Sequence, residues 1–68
     1  MTAADYLDAV ERHFLNDARF VSALVLSPRP GAFVGVARVL AGEELHRTAT
    51  HAYAVDAARE LAQIAGAL

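Results

Sequence analysis

Sixty-eight residues suffice for one small domain, 1–68, and leave no room for a second. The chain has no cysteine, so neither a disulfide nor a thiolate metal site can staple its small core. Its net charge of −2 lacks the basic balance that supplies most non-specific nucleic-acid affinity. All six basic residues are arginine, and with the abundance of Ala, Val and Leu this fits the coding bias of a GC-rich, bacterial genome. The apolar share of 56% is high for a small soluble domain and favours association with a partner.

In chain order, Thr2-Ala3-Ala4-Asp5 has the form of a capping box, with Asp in place of Glu. Ala3, Leu7, Val10 and Phe14 then recur at helical spacing, which predicts a helix over 3–16. This segment is amphipathic and acidic, without the basic start of a secretory leader. No apolar run reaches the ~18 residues that a membrane span needs, so the expected setting is the cytoplasm. Phe20 to Leu26 reads as a β run, and Ser27-Pro28-Arg29-Pro30-Gly31 as a turn. Phe33 to Leu40 is a second β run, Ala41 to Glu44 a second turn, and Glu44 to Ala49 a short polar edge strand. A second helix is predicted from Thr50 or His51 to Ala67. Its stripe is Ala54, Ala58, Leu61, Ala65 and Leu68, and its wet face Asp56, Arg59, Glu60 and Gln63. The predicted fold is α+β: an α-β-β-β-α two-layer sandwich with a three-stranded antiparallel meander and both helices on one face.

Three stretches carry a family likeness. They are Phe33-Val34-Gly35-Val36-Ala37-Arg38-Val39, Gly42-Glu43-Glu44-Leu45, and Thr50-His51-Ala52-Tyr53-Ala54 followed by Ala57-Ala58. Together with the element order, they resemble the second strand, the glycine turn and the second helix of double-stranded-RNA-binding domains. The likeness covers about half of the chain. It implies three RNA-contact regions, and each is altered here. The polar face of the first helix offers Asp5, Asp8 and Glu11 against Arg12, and carboxylates repel phosphate. The loop between the first two strands carries Arg29 as its one cation. The lysine cluster that opens the family's second helix is replaced by His51, Ala52 and Val55. The resemblance therefore implies a degenerate member, with Arg29, Arg47 and His51 as the contacts left for weak binding of duplex RNA.

The β runs do not alternate cleanly between apolar and polar residues. Val21, Ala23 and Val25 share one face of the first run, and Phe20, Ser22, Leu24 and Leu26 the other. In the second run Val34 and Val36 oppose Phe33, Gly35, Ala37 and Val39. A sheet with helices on one side should be polar on the other. The expected interface is therefore Val21, Ala23, Val25, Val34 and Val36, buried against a protein partner that is either a second copy or a larger protein such as a multienzyme subunit. His13, His46 and His51 lack the paired spacing of metal ligands. Ser22 and Ser27 lack a nucleophile elbow, and no glycine-rich phosphate loop is present. The expected function is a non-catalytic dimerisation or docking module without a cofactor, a metal or a small-molecule substrate.

Overall fold

The chain adopts the expected order α-β-β-β-α. The computed structural model describes the backbone of residues 1–68 and every side chain except those of Val21 and Ala41. The elements are α1 (Ala3–His13), β1 (Phe20–Arg29), β2 (Ala32–Val39), a 3-10 turn (Leu40–Gly42), β3 (Glu44–Arg47) and α2 (Ala54–Ile64). The strands form one antiparallel sheet in the order β1-β2-β3. Among the described residues, no helix is long and apolar enough to cross a membrane.

Thr2 and Asp5 start α1 as a reciprocal capping box. The Asp5 N–H donates to Thr2 Oγ1 at 3.2 Å, and the Thr2 N–H donates to Asp5 Oδ2 at 2.8 Å. That second bond holds the Asp5 carboxyl below its ordinary range. The helix stops at His13, short of the expected residue 16. Phe14 N–H still reaches Val10 O, but Leu15 N–H bonds Arg12 O in a tightened turn. Asp17 N–H then closes onto Phe14 O and turns the chain toward β1.

β1 runs on through Ser27 and Pro28, which the sequence assigns to a turn. The reason lies in the strand order. β1 is an edge strand, where the N–H that proline lacks need not enter a ladder. The hairpin turn itself is Pro30-Gly31, between the paired residues Arg29 and Ala32. Gly31 adopts φ +74°, the left-handed geometry that follows proline in a type II turn. The helix expected from Thr50 or His51 begins at Ala54. His51 is held extended, because its N–H and C=O both bond Phe33 at 2.8 Å. Tyr53 is then the N-cap, in an extended conformation.

Gly35 decides which face of the sheet is covered. A Cβ on Gly35 would lie 2.7 Å from Ala57 O and 3.0 Å from Leu61 Cβ, so α2 rests its backbone on the sheet there. Alternation from Gly35 puts Phe33, Ala37 and Val39 on this inner face. The antiparallel register puts Val25 opposite Gly35 and Ala23 opposite Ala37 on the same face. Ala23 and Ala37 accordingly join Val10, Leu61, Ala62 and Ala65 in the core, with Tyr6, Leu7, Phe14 and Phe20 packed around them. Alternation alone would send Phe20 outward. A register shift between Phe20 and Ser22 returns it to the inner side, where it pairs with Val39 and stacks on Phe14 at 5.2 Å. The buried stripe of α2 is Ala57, Ala58, Leu61 and Ala62, continued by Ala65, while Ala54 is half-buried and Leu68 is exposed.

Thr48 completes this arrangement. It is buried beyond the end of β3, and its Oγ1 accepts the Gly35 N–H at 2.9 Å and donates to Ala49 O at 2.7 Å. Its own N–H donates to Gly35 O at 3.0 Å. Gly35 is thus tied to the segment just after β3 on one edge and pressed by α2 from above.

Gly35→Ala tests this packing. Alanine recovers about 0.4–1 kcal/mol by restricting the unfolded chain. Forcing a methyl against a backbone oxygen in a packed site costs about 1–3 kcal/mol. The packing cost wins, so Gly35→Ala is expected to lower the urea midpoint and to lower Tm by several degrees. An unchanged or raised midpoint would show that α2 does not sit this close to the sheet.

Candidate functional site

The face opposite the helices is a small grid of side chains fixed by register. Ser22 of β1 lies across from Arg38 of β2, Leu24 from Val36, and Leu26 from Val34. On the other side of β2, Val36 lies across from Arg47 of β3 and Arg38 from Glu44. Leu24, Leu26, Val34 and Val36 therefore form a contiguous apolar block over β1 and β2. Arg38 borders it along β2 and Arg47 borders it on β3.

Among the described residues, no element of the fold lies over this block. Both helices pack on the Gly35 side, and the molecule is only 16 Å through its thinnest dimension. One helix layer on one sheet, spaced by about 10 Å, accounts for that thickness. Val34 and Val36 are nevertheless 4% and 0% exposed. They are short side chains on the central strand. Leu24 and Arg47 flank Val36, and Leu26 flanks Val34, each longer than the valine beside it. The apolar surface that meets solvent here belongs to the half-buried Leu24 and Leu26.

The five interface residues expected from sequence do not form one surface. Val34 and Val36 lie on the outer face. Ala23 and Val25 lie on the inner face, across from Ala37 and Gly35, where Ala23 belongs to the core. The Val21 side chain lies outside the described residues. Leu24 and Leu26, which sequence alternation grouped with Phe20, are the partners of the outer valines. Gly35 was the available signal: a glycine amid valines in a central strand marks the side on which another backbone approaches.

The three cations expected as RNA contacts are also dispersed. Arg29 is exposed beside the hairpin turn. Arg47 points to the outer face and bonds Glu44 at 2.6 Å. His51 sits across from Phe33 on the helix side, its Nε2 2.7 Å from Glu60 Oε1. Of the positions aligned with the lysine cluster, Ala52 is exposed and precedes the helix, while Val55 is half-buried within it.

Glu60 belongs to a latch that the periodicity did not reveal. Its Oε1 accepts the Ala49 N–H at 3.0 Å as well as the His51 ring N–H. One carboxylate thus clamps the β3–α2 connection onto α2. The other close ion pairs are local: Asp17 with Arg19, Glu44 with Arg47, and Asp56 with Arg59. Among the described residues, no group of three or more His, Cys, Asp or Glu is placed to hold a metal ion.

Compared with protein-family models, with curated proteins and with solved structures, the chain matches none.

The latch carries a pH signature. The His51 hydrogen bond, reinforced by the Ala49 N–H and opposed by partial burial, holds the Glu60 carboxyl below its ordinary value of 4.5. A group whose folded pKa is depressed stabilises the fold above its unfolded pKa, and that contribution is lost as pH falls through the folded value. Glu60→Gln keeps an oxygen for both donors but removes the charge. The variant is expected to be less stable than the parent at pH 7, with the difference closing in urea titrations taken well below pH 4.5. A difference of the same size at pH 7 and pH 3 would show that the carboxylate charge does not hold the latch.

Proposed function

We propose that this chain is a non-catalytic protein-interaction module, a docking or dimerisation domain, on a scaffold similar to that of double-stranded-RNA-binding domains. One observation carries it: the block of Leu24, Leu26, Val34 and Val36 on the sheet face that neither helix covers. The part of that block that meets solvent is Leu24 and Leu26 on β1, beside the buried Val34 and Val36, and apolar surface bordered by charge is the anatomy of a protein contact. The scaffold comparison is supported by the element order and by the alanines Ala57 and Ala58, which let the second helix lie close on the sheet. The non-catalytic part is supported by how the charged groups are used. Five of the eight carboxylates, Asp5, Asp17, Glu44, Asp56 and Glu60, serve a cap, a local ion pair or the latch. A soluble, cytoplasmic protein fits the same picture.

Duplex RNA is the second reading. It is favoured by Arg29 alone, which is exposed beside the hairpin turn that the family uses for contact. Few cations release few counterions, so such binding would be weak and would collapse as salt rises.

Two measurements on the parent chain and on the double variant Leu24→Glu, Leu26→Glu test the proposal. One is the molecular mass by sedimentation at up to millimolar concentration. The other is a chemical-shift titration with an uncharged amphipathic helix peptide built on a leucine stripe. The expected result is self-association or peptide binding that perturbs the Leu24, Leu26 and Val36 amides and is lost in the variant, with helix content unchanged by circular dichroism. A monomer whose outer face shows no response overturns the proposal, as does a tight, salt-resistant complex with duplex RNA.

A further inference from the structure

Resting on the interaction reading above, the geometry points to one kind of occupant for the outer face: a single amphipathic helix of a partner protein, with carboxylates along the edge of its apolar stripe. Edge geometry, dimensions and charge all lead to it.

Strand addition is disfavoured at both edges of the sheet. β1 carries register shifts toward both of its ends, between Phe20 and Ser22 and between Leu26 and Arg29, and it contains Pro28. β3 is four residues long and bears Glu44 and Arg47. Bulges, proline, short length and charge are the features that blunt an edge against pairing. Contact is thereby left to the face.

The dimensions of that face suit a helix. Three strands at about 4.8 Å spacing put the outer strands roughly 10 Å apart, and the grid from Ser22 to Leu26 runs about 13 Å along the strand. With side-chain margins the face presents roughly 300 Å², well under the ~800 Å² per partner of a stable protein pair. Any occupant of this face stays within that small area, so the contact is a weak one. A helix about 10 Å across, lying along β1 and β2 for three to four turns, covers the same face with its own stripe.

Charge selects the helix. The chain as a whole is acidic at −2, yet this face holds two guanidiniums, Arg38 and Arg47, against the single carboxylate of Glu44. Glu44 is engaged by Arg47, so Arg38 has no carboxylate partner among the described residues. The two arginines lie on neighbouring strands on a diagonal of about 7–8 Å, and helix positions four residues apart lie about 6 Å apart. Glutamates at i and i+4 beside a leucine stripe thus reach both guanidiniums while the leucines cover the half-buried Leu24 and Leu26. A second copy would bring the same two arginines to the contact and gains nothing from this pattern.

Two 14-residue helix peptides with one leucine stripe test the inference, one with Glu and one with Lys at the flanking i and i+4 positions. Each is titrated into the full chain and followed by amide chemical shifts at low salt. The Glu peptide is expected to perturb Leu24, Val36, Arg38 and Arg47 and to bind about tenfold more tightly than the Lys peptide, a margin that narrows as salt rises. Arg38→Glu with Arg47→Glu should reverse the preference, and Arg38→Gln with Arg47→Gln should abolish it. Equal affinity for both peptides overturns this inference and leaves the interaction module standing. A dimer that Leu24→Glu breaks overturns it in favour of a second copy. An outer face that responds to neither peptide, nor to the uncharged one, in a chain that stays monomeric overturns both.

Discussion

The close approach of α2 to Gly35 is the constraint on which the rest of this structure depends. A domain of this size has few ways to bury enough apolar surface. Here the helix lays Ala57 O where any other residue would carry a Cβ. Small residues serve both sides of the contact: Gly35 and Ala37 on the sheet, Ala57, Ala58 and Ala62 on the helix. Once α2 is seated there, the faces of all three strands follow by register. Thr48 holds Gly35 from just beyond the third strand, and the clamp of Glu60 on Ala49 and His51 fixes where the chain enters the helix. The alanine-rich stripe is thus the consequence of bringing two backbones together, a packing solution that larger side chains would prevent.

The same constraint divides the sheet by use. Its inner face is occupied by core residues that cannot be spared for a partner. Its outer face keeps a leucine–valine block bordered by arginine, with the valines buried and the leucines meeting solvent. A short valine between longer groups contributes shape to such a surface, and the leucines contribute most of the area that a partner can remove from water.

Most of the architecture was legible in the sequence, because helical spacing, the Thr2–Asp5 cap and the Pro–Gly and Gly–Glu turns each rest on local chemistry. The element order and the antiparallel meander followed from them. What was not legible depended on contacts distant in sequence. Pro28 reads as a turn until β1 is known to be an edge strand. His51 reads as helical until both of its backbone groups are seen to bond Phe33. Face assignment failed for a related reason. Phe20 and Leu24 share a phase in the sequence, and the register shift between Phe20 and Ser22 separates them in space. Of the expected interface, Val34 and Val36 belong to the outer face, while Ala23 and Val25 belong to the core side. Glu60 looks like a solvated helix residue because its partners, Ala49 and His51, lie outside its own helix.

The face assignment is the central claim, and methyl nuclear Overhauser contacts on the intact chain test it most directly. The structure predicts contacts from the Ala23 and Ala37 methyls to Leu61 and Val10, and contacts from Leu24 and Leu26 to Val36 and Val34 but to no residue of either helix. Contacts from Leu24 or Leu26 to Leu61, with Ala23 and Ala37 silent toward the helices, would contradict it and place the open face on the other side of the sheet.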